Sequence, residues 1–194
     1  MQDSRRTQGE RRAETQRALI AAARTLFADK GYADTSTPEI AAEAGVTRGA
    51  LYHHYADKLA LFKTVVEQEH LLLAMAINGA TSGDNEPGPV KALIAGGDAF
   101  LDAMQDQGRR RILLVDAPAV LGRDMLDQID ARNGLKTLIE GVNAAMAAKA
   151  IRDLPVVPLA HLLGALFDRA ALAKPNEIGE YRKAIKALIR GLKI

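Results

Sequence analysis

Residues 36–55 read Ser36-Thr37-Pro38-Glu39-Ile40-Ala41-Ala42-Glu43-Ala44-Gly45-Val46-Thr47-Arg48-Gly49-Ala50-Leu51-Tyr52-His53-His54-Tyr55. Two short helical segments flank Gly45-Val46. Ser36 or Thr37 supplies the first cap, Pro38 suits the first turn, and Ser36 with Glu39 has capping-box spacing. Ile40, Ala41 and Ala44 form an inward face, and Gly45 ends the segment. The second helix begins at Thr47 and runs to about Tyr55, with Leu51 pointing inward beside Ile40 and Val46. A tight turn sets such helices at a steep angle. In that geometry the second helix fits the major groove of duplex DNA and offers its first residues to base edges. Thr47, Arg48, Gly49 and Ala50 occupy that exposed start. Arg48 can donate two hydrogen bonds to guanine, and Gly49 and Ala50 are small enough for close approach. Tyr52, His53 and His54 carry polar tips suited to phosphate oxygens. Lys58 lies in the first turn of the next helix, where the dipole disfavours a cation. A phosphate held there by Lys58 and backbone N–H groups would account for it. Read without DNA, the same residues are a small aromatic core, and helix–Gly–helix alone does not decide between the two.

The flanking pattern is helical, with no strict period-two alternation. A first helix spans about Arg11–Lys30, with Leu19, Ile20, Ala23, Leu26 and Phe27 on one face, and Gly31 ends it. Asp57 caps a long helix that buries Leu61, Phe62, Val65, Val66, Leu72, Leu73, Ala76 and Ile77. Thr81–Pro89 is a loop. The next helix carries Val90, Leu93, Ile94, Phe100, Leu101 and Met104 on one face. Gly96-Gly97 in its middle costs about 1–2 kcal/mol relative to two alanines. Arg109–Val115 is a short segment. A long helix fits Asp124–Ala150, with Asn133-Gly134 as an interruption point. Val157–Ala173 and Asn176–Leu192 close the chain. The expectation is an all-α fold of about nine helices.

The chain has 194 residues, 48% of them apolar, with a net charge of +2 and neither Cys nor Trp. That length suits one domain or two small ones. Without cysteine, disulfides, thiol catalysis, cysteine zinc sites and iron–sulfur clusters are excluded. No apolar run reaches the ~18 residues of a membrane span, so no membrane partner is expected. Met1–Glu14 is polar and Arg-rich with no apolar signal core, which predicts a cytoplasmic protein. The small net charge permits nucleic-acid binding without requiring it. Seven of the twelve Phe, Tyr and His residues fall between Phe27 and Phe62. That concentration marks the stretch as different from the rest.

Ala22–Phe62 resembles the DNA-binding domain of the TetR family of bacterial transcriptional regulators. The matching features are Ala23-x-x-Leu26-Phe27-x-x-x-Gly31-Tyr32, Thr35-Ser36-Thr37, Ile40-Ala41-x-x-Ala44-Gly45-Val46, and Leu51-Tyr52-His53-His54-Tyr55-x-x-Lys58-x-x-Leu61. The combination is specific and covers about a quarter of the chain. Arg111–Gly122 and Leu162-Leu163-Gly164-Ala165-Leu166 resemble a subgroup of these regulators. Pro38-Glu39 departs from the polar or basic residues often found there, so neither is assigned a base contact. The resemblance implies an N-terminal arm and three-helix DNA-binding domain over 1–56. It also implies a ligand-binding and dimerisation domain over 57–194. Thr47, Arg48, Gly49 and Ala50 would face bases. Tyr52, His53, His54 and Lys58 would contact phosphates, and Thr37 would cap backbone or contact phosphate. Arg5, Arg6, Arg11 and Arg12 would form either an arm reaching the minor groove or a solvated tail.

In the C-terminal half, Leu159, Leu162, Leu163, Leu166, Phe167 and Ala170 form one seam. Ile178, Tyr181, Ile185, Leu188, Ile189 and Leu192 form another. Two such helices from each of two chains would make a four-helix bundle, with Leu162, Leu166, Tyr181, Ile185 and Leu188 at the homodimer interface. The alternative is packing within one chain. The resemblance implies a ligand pocket here. Gly97, Phe100, Met104, Asp116 and His161 are its candidate residues, for a small apolar or amphipathic effector, with no cofactor or metal expected. Met75, Met125, Met146, His70, Asp98 and Asp102 are further polar or adaptable groups beside apolar runs.

Three functions fit. The first is a homodimeric repressor, released from a palindromic double-stranded DNA operator by its effector. The second is a DNA-binding architectural or partner-recruiting protein of the same fold without an effector. The third is an enzyme. Glu67-x-x-His70 has di-iron spacing but no second copy, and no nucleophile elbow, phosphate loop or HExxH motif is present, so no enzyme is expected.

Overall fold

A computed structural model describes residues 7–81 and 88–194. Among them every regular element is helical and no strand occurs. The expected loop at 81–89 falls largely outside the described residues, as do Arg5 and Arg6.

Helix α1 spans Gln8–Lys30. Thr7 caps it through a reciprocal box with Glu10. Arg11 and Arg12 therefore stand on α1 and not on an arm, because the helix begins earlier than the apolar pattern alone suggested. Helix α2 is Thr37–Glu43, and the Ser36–Glu39 capping box is present. The turn after α2 closes with Gly45 N–H donating to the Ala42 carbonyl and Val46 N–H donating to the Ala41 carbonyl. Gly45 has φ +66°, the left-handed conformation that this C-terminal cap demands. Helix α3, Arg48–His54, follows at once, with Thr47 Oγ1 accepting from the Ala50 N–H. Asp57 caps α4, Lys58–Thr81, through the Ala60 N–H at 2.7 Å.

The described residues divide into two compact units, one ending at Gln68 and one starting at Glu69. The division falls within α4, whereas the expected domain boundary at 56/57 is the start of that helix. In the first unit Leu19, Phe27, Ile40, Leu51, Leu61 and Phe62 are fully buried. Phe27 meets Phe62 edge-to-face at 5.0 Å, and Tyr32 lies 4.8 Å from Phe62. Aromatic contacts at these spacings add about 0.5–1.5 kcal/mol each beyond burial.

The second unit contains α5 (Pro89–Ala103), α6 (Gln107–Arg111), a π-helical turn (Ile112–Asp116) and α7 (Ala117–Leu121). Helices α8 (Arg123–Asp130), α9 (Gly134–Ala147), α10 (Val156–Ala171) and α11 (Ile178–Gly191) complete it. The expected Asp124–Ala150 helix is thus two, and α7 lies between two expected segments, which raises the helix count among the described residues above nine. The Asp124–Ala150 helix breaks where Asn133 Nδ2 donates to the Ile129 carbonyl and Asp130 Oδ1 accepts from the Leu135 N–H. Gly134 permits this, since a Cβ there would stand 2.9 Å from Asp130 Oδ1. Helix α9 packs on α5 and α10, and α11 packs on both of those. Arg182 of α11 binds Asp98 at 2.9 Å and also Asp102, and Lys186 binds Asp98 at 2.8 Å.

Candidate nucleic-acid interface and effector cavity

At the start of α3 Thr47, Arg48 and Gly49 are exposed, with Ala50 half-buried. The Thr47 hydroxyl is used as an acceptor by the cap and keeps its proton for donation. A Cβ on Gly49 would meet nothing nearer than Thr47 Oγ1 at 3.9 Å, so this surface is open to close approach. The Arg48 guanidinium lies 5.8 Å from the centre of the Tyr52 ring one turn on. Tyr52 and Thr37 join hydroxyl to hydroxyl at 3.0 Å, which ties α3 to the first turn of α2. Hydrogen bonds from Thr37 and Arg48 hold the Tyr52 phenol below its ordinary pKa, which makes its O–H a better donor. Thr37, Tyr52 and Lys58 share one concave patch with Ser36 and Asp57.

Lys58 differs from the expectation of a free phosphate ligand. Its Nζ donates to the Tyr32 carbonyl at 2.8 Å and to the Thr35 carbonyl at 2.9 Å. It also sits 4.2 Å from the centre of the Tyr32 ring. An ammonium has three protons, so one donor is left for a phosphate. This bonding gives a structural reason for a cation in the first turn of α4. His53 is exposed and His54 half-buried, their rings edge-to-face at 5.7 Å. Burial, then the neighbouring charges of His53 and Arg12, lower the His54 pKa, so His54 stays neutral near pH 7. Tyr55, just past the end of α3, is buried. Glu39 gains a reason for its departure from the family pattern. It accepts from Ser36 N–H and Oγ and pairs with Lys30 at 2.8 Å, which pulls its carboxyl down to about 2.

In the second unit a cavity of about 610 Å³ opens among α4, α5, α8, α9 and α10. Gly97, Phe100, Met104 and His161 are among its lining residues. Asp116 is not. It faces Arg111 at 3.8 Å, because the π-helical turn rotates it away from the register of a continuous α-helix. Sequence reading named His70 only among the polar groups beside apolar runs and missed Asp168, Asp130 and Asp127, which line the cavity with it. The spacing His161, Gly164, Ala165, Asp168, Leu172 is one helix face and could have flagged Asp168. Asp168 lines the cavity and keeps much of its surface accessible, yet enough protein surrounds it to desolvate a charge. Burial pushes its pKa up to about 6, and the charge of Asp130 adds to the shift. His70 Nδ1 is buried without a hydrogen-bond partner, 3.7 Å from Asp130 Oδ1. Burial lowers the His70 pKa against the opposing pull of Asp130 and Glu69.

On the outer faces of α10 and α11, Leu162 is 66% exposed and Leu188 55%. Leu166 and Tyr181 are half-buried, and Arg169 covers the Tyr181 ring at 5.2 Å. Ile185, expected at a partner interface, is 4% exposed and packs inside its own chain.

Residues 19–65 match the family model described as bacterial regulatory proteins, tetR family. Residues 90–192 match the tetracyclin repressor-like C-terminal domain. The chain is 26% identical over 184 residues to the transposon Tn10 TetC protein of Escherichia coli, across 91% of this chain and 89% of that protein. It is 42% identical over 77 residues to the HTH-type transcriptional repressor BepR of Brucella suis, across 37% of this chain and 36% of that protein. The solved structure of a TetR-family transcriptional regulator from Pectobacterium atrosepticum superposes with a TM-score of 0.78 at 27% identity, over 97% of this chain and 98% of that one. The chain, with its helix-turn-helix head and helical C-terminal domain, belongs to the TetR family of DNA-binding transcriptional regulators.

Proposed function

We propose that this regulator is a homodimeric repressor whose grip on a palindromic operator is released by a small molecule bound in the C-terminal cavity. The cavity carries the reading. About 610 Å³ lined by Phe100, Phe167, Leu93 and Met104, with a few polar groups, is the size and character of a small-molecule site. A DNA-binding protein without an effector would fill that space with side chains, which weighs against the architectural reading. The exposed leucines of α10 and α11 offer the surface for a second copy. The two-fold axis would set two α3 helices about one DNA turn, ~34 Å, apart. Effector and operator would then oppose each other reciprocally, by about 1–3 kcal/mol.

The test is fluorescence anisotropy with inverted-repeat DNA drawn from sequence flanking the gene. Wild type should bind one such repeat far more tightly than random DNA. Arg48→Ala should lose about 1–3 kcal/mol of discrimination at one base pair per half-site. Tyr52→Phe should weaken all sequences alike, as a phosphate contact does. Paired Leu162→Glu and Leu188→Glu changes should yield monomers in sedimentation and abolish tight operator binding. Equal affinity for operator and random DNA would sink the repressor reading.

A further inference from the structure

The cavity walls are broadly apolar, and most of their charged groups are acidic. From α4 comes His70, from α8 Arg123, Asp127 and Asp130, from α9 Glu140, and from α10 His161 and Asp168. Helix α5 adds no charge to the lining, since it contributes Ala92, Leu93, Gly96, Gly97, Phe100 and Met104. Four carboxyl groups thus face one guanidinium.

Their commitments differ. Asp130 is held by the Leu135 N–H. Glu140 lies on an exposed part of α9, 3.9 Å from Lys136. Asp168 is exposed along the cavity lining, with the like charge of Asp130 acting on it, and among the described residues it has neither an ion pair nor a hydrogen bond. A carboxyl in that setting costs free energy to ionise unless something cationic arrives beside it. Phe167 and Phe100, with ring centres 6.0 Å apart, also line the cavity.

Building on the effector reading, we infer that the ligand of this cavity is an amphipathic organic cation whose charged centre is paired with Asp168. Among the described residues no three His, Asp or Glu groups stand close enough to hold a metal ion, so the charge is carried by an organic group. An anionic amphiphile would meet the net negative wall and be repelled.

The sign of the pH response follows. Empty, Asp168 holds its proton up to about pH 6. A bound cation favours the carboxylate, so binding expels that proton at lower pH. Affinity for a permanent cation should rise with pH and level off above the pKa of the empty site.

Tetraphenylphosphonium and tetraphenylborate have one shape and opposite charge, and make the test. Calorimetry on the full-length protein at about pH 7.5 should show the phosphonium binding at least about tenfold more tightly than the borate. Asp168→Asn should erase most of that preference and its pH dependence, and Asp168→Glu should restore part of both. Thermal unfolding establishes that each variant is folded. If both ions bind alike and both release operator DNA, the charge assignment fails while the effector reading stands. A preference that survives Asp168→Asn intact also overturns the assignment. If neither ion binds, both readings fall.

Discussion

The ring of Phe167 occupies the space that a side chain on residue 97 would fill: a Cβ built on Gly97 would lie 2.2 Å from its Cζ. The glycine that weakens α5 is thus what lets α10 approach it, and both residues then line the cavity. Gly97→Ala gains about 1 kcal/mol of helix propensity and incurs about 1–3 kcal/mol of overpacking. We expect a net loss of roughly 1 kcal/mol in chemical denaturation and a smaller cavity, read as weaker binding of any cavity ligand.

Gly45→Ala tests the turn that aims α3. A Cβ there would meet nothing within 4 Å, so only the φ of +66° opposes it. The cost should be about 1–2 kcal/mol, the left-handed penalty of an ordinary residue. Urea unfolding would measure it, and operator binding should fall with the altered helix angle.

Arg109 Nε donates to Glu69 Oε2 at 2.7 Å, and its Nη1 donates to the Ala103 carbonyl. Glu69 is buried. Arg109→Met removes the cation from a buried carboxylate and should cost about 3 kcal/mol. Replacing both, as Arg109→Met with Glu69→Leu, should recover much of it in the same unfolding assay.

Asp168 makes stability depend on pH in a fixed direction. Its folded pKa is raised, so the folded state binds the proton more tightly than the unfolded chain does. Stability is lost as pH rises from the unfolded value near 4 through about 6. Asp168→Asn should therefore unfold at a higher temperature than wild type above pH 6, and the gap should close below about pH 4.

The head was legible because its signals are local. Ser36, Gly45, Thr47 and Asp57 each act within a few residues of themselves, and all cap or turn as their chemistry predicts. Lys58 was only half legible: its first-turn position announced an unusual role, but the carbonyls of Tyr32 and Thr35 that it binds lie more than twenty residues away. The cavity followed the same rule. Gly97, Phe100 and Met104 lie on one helix and were named as candidates for the pocket that the resemblance implied, whereas Asp130 and Asp168 come together only through packing of separate helices. Asp116 was misplaced because a π-helical turn changes which residues share a face. Ile185 was misplaced because one apolar seam serves equally for packing within a chain or between chains.

Asp130 caps the start of α9 with the same carboxyl group that repels Asp168 across the cavity. The backbone amide of Leu135 therefore works as a built-in gauge. Whatever enters the cavity and draws Asp130 toward it frees that N–H, and hydrogen exchange at this one position would quicken. A guest that engages Asp168 alone would leave Asp130 on its cap and slow the exchange. Site-resolved exchange at Leu135 would thus report where in the cavity a guest's charge resides.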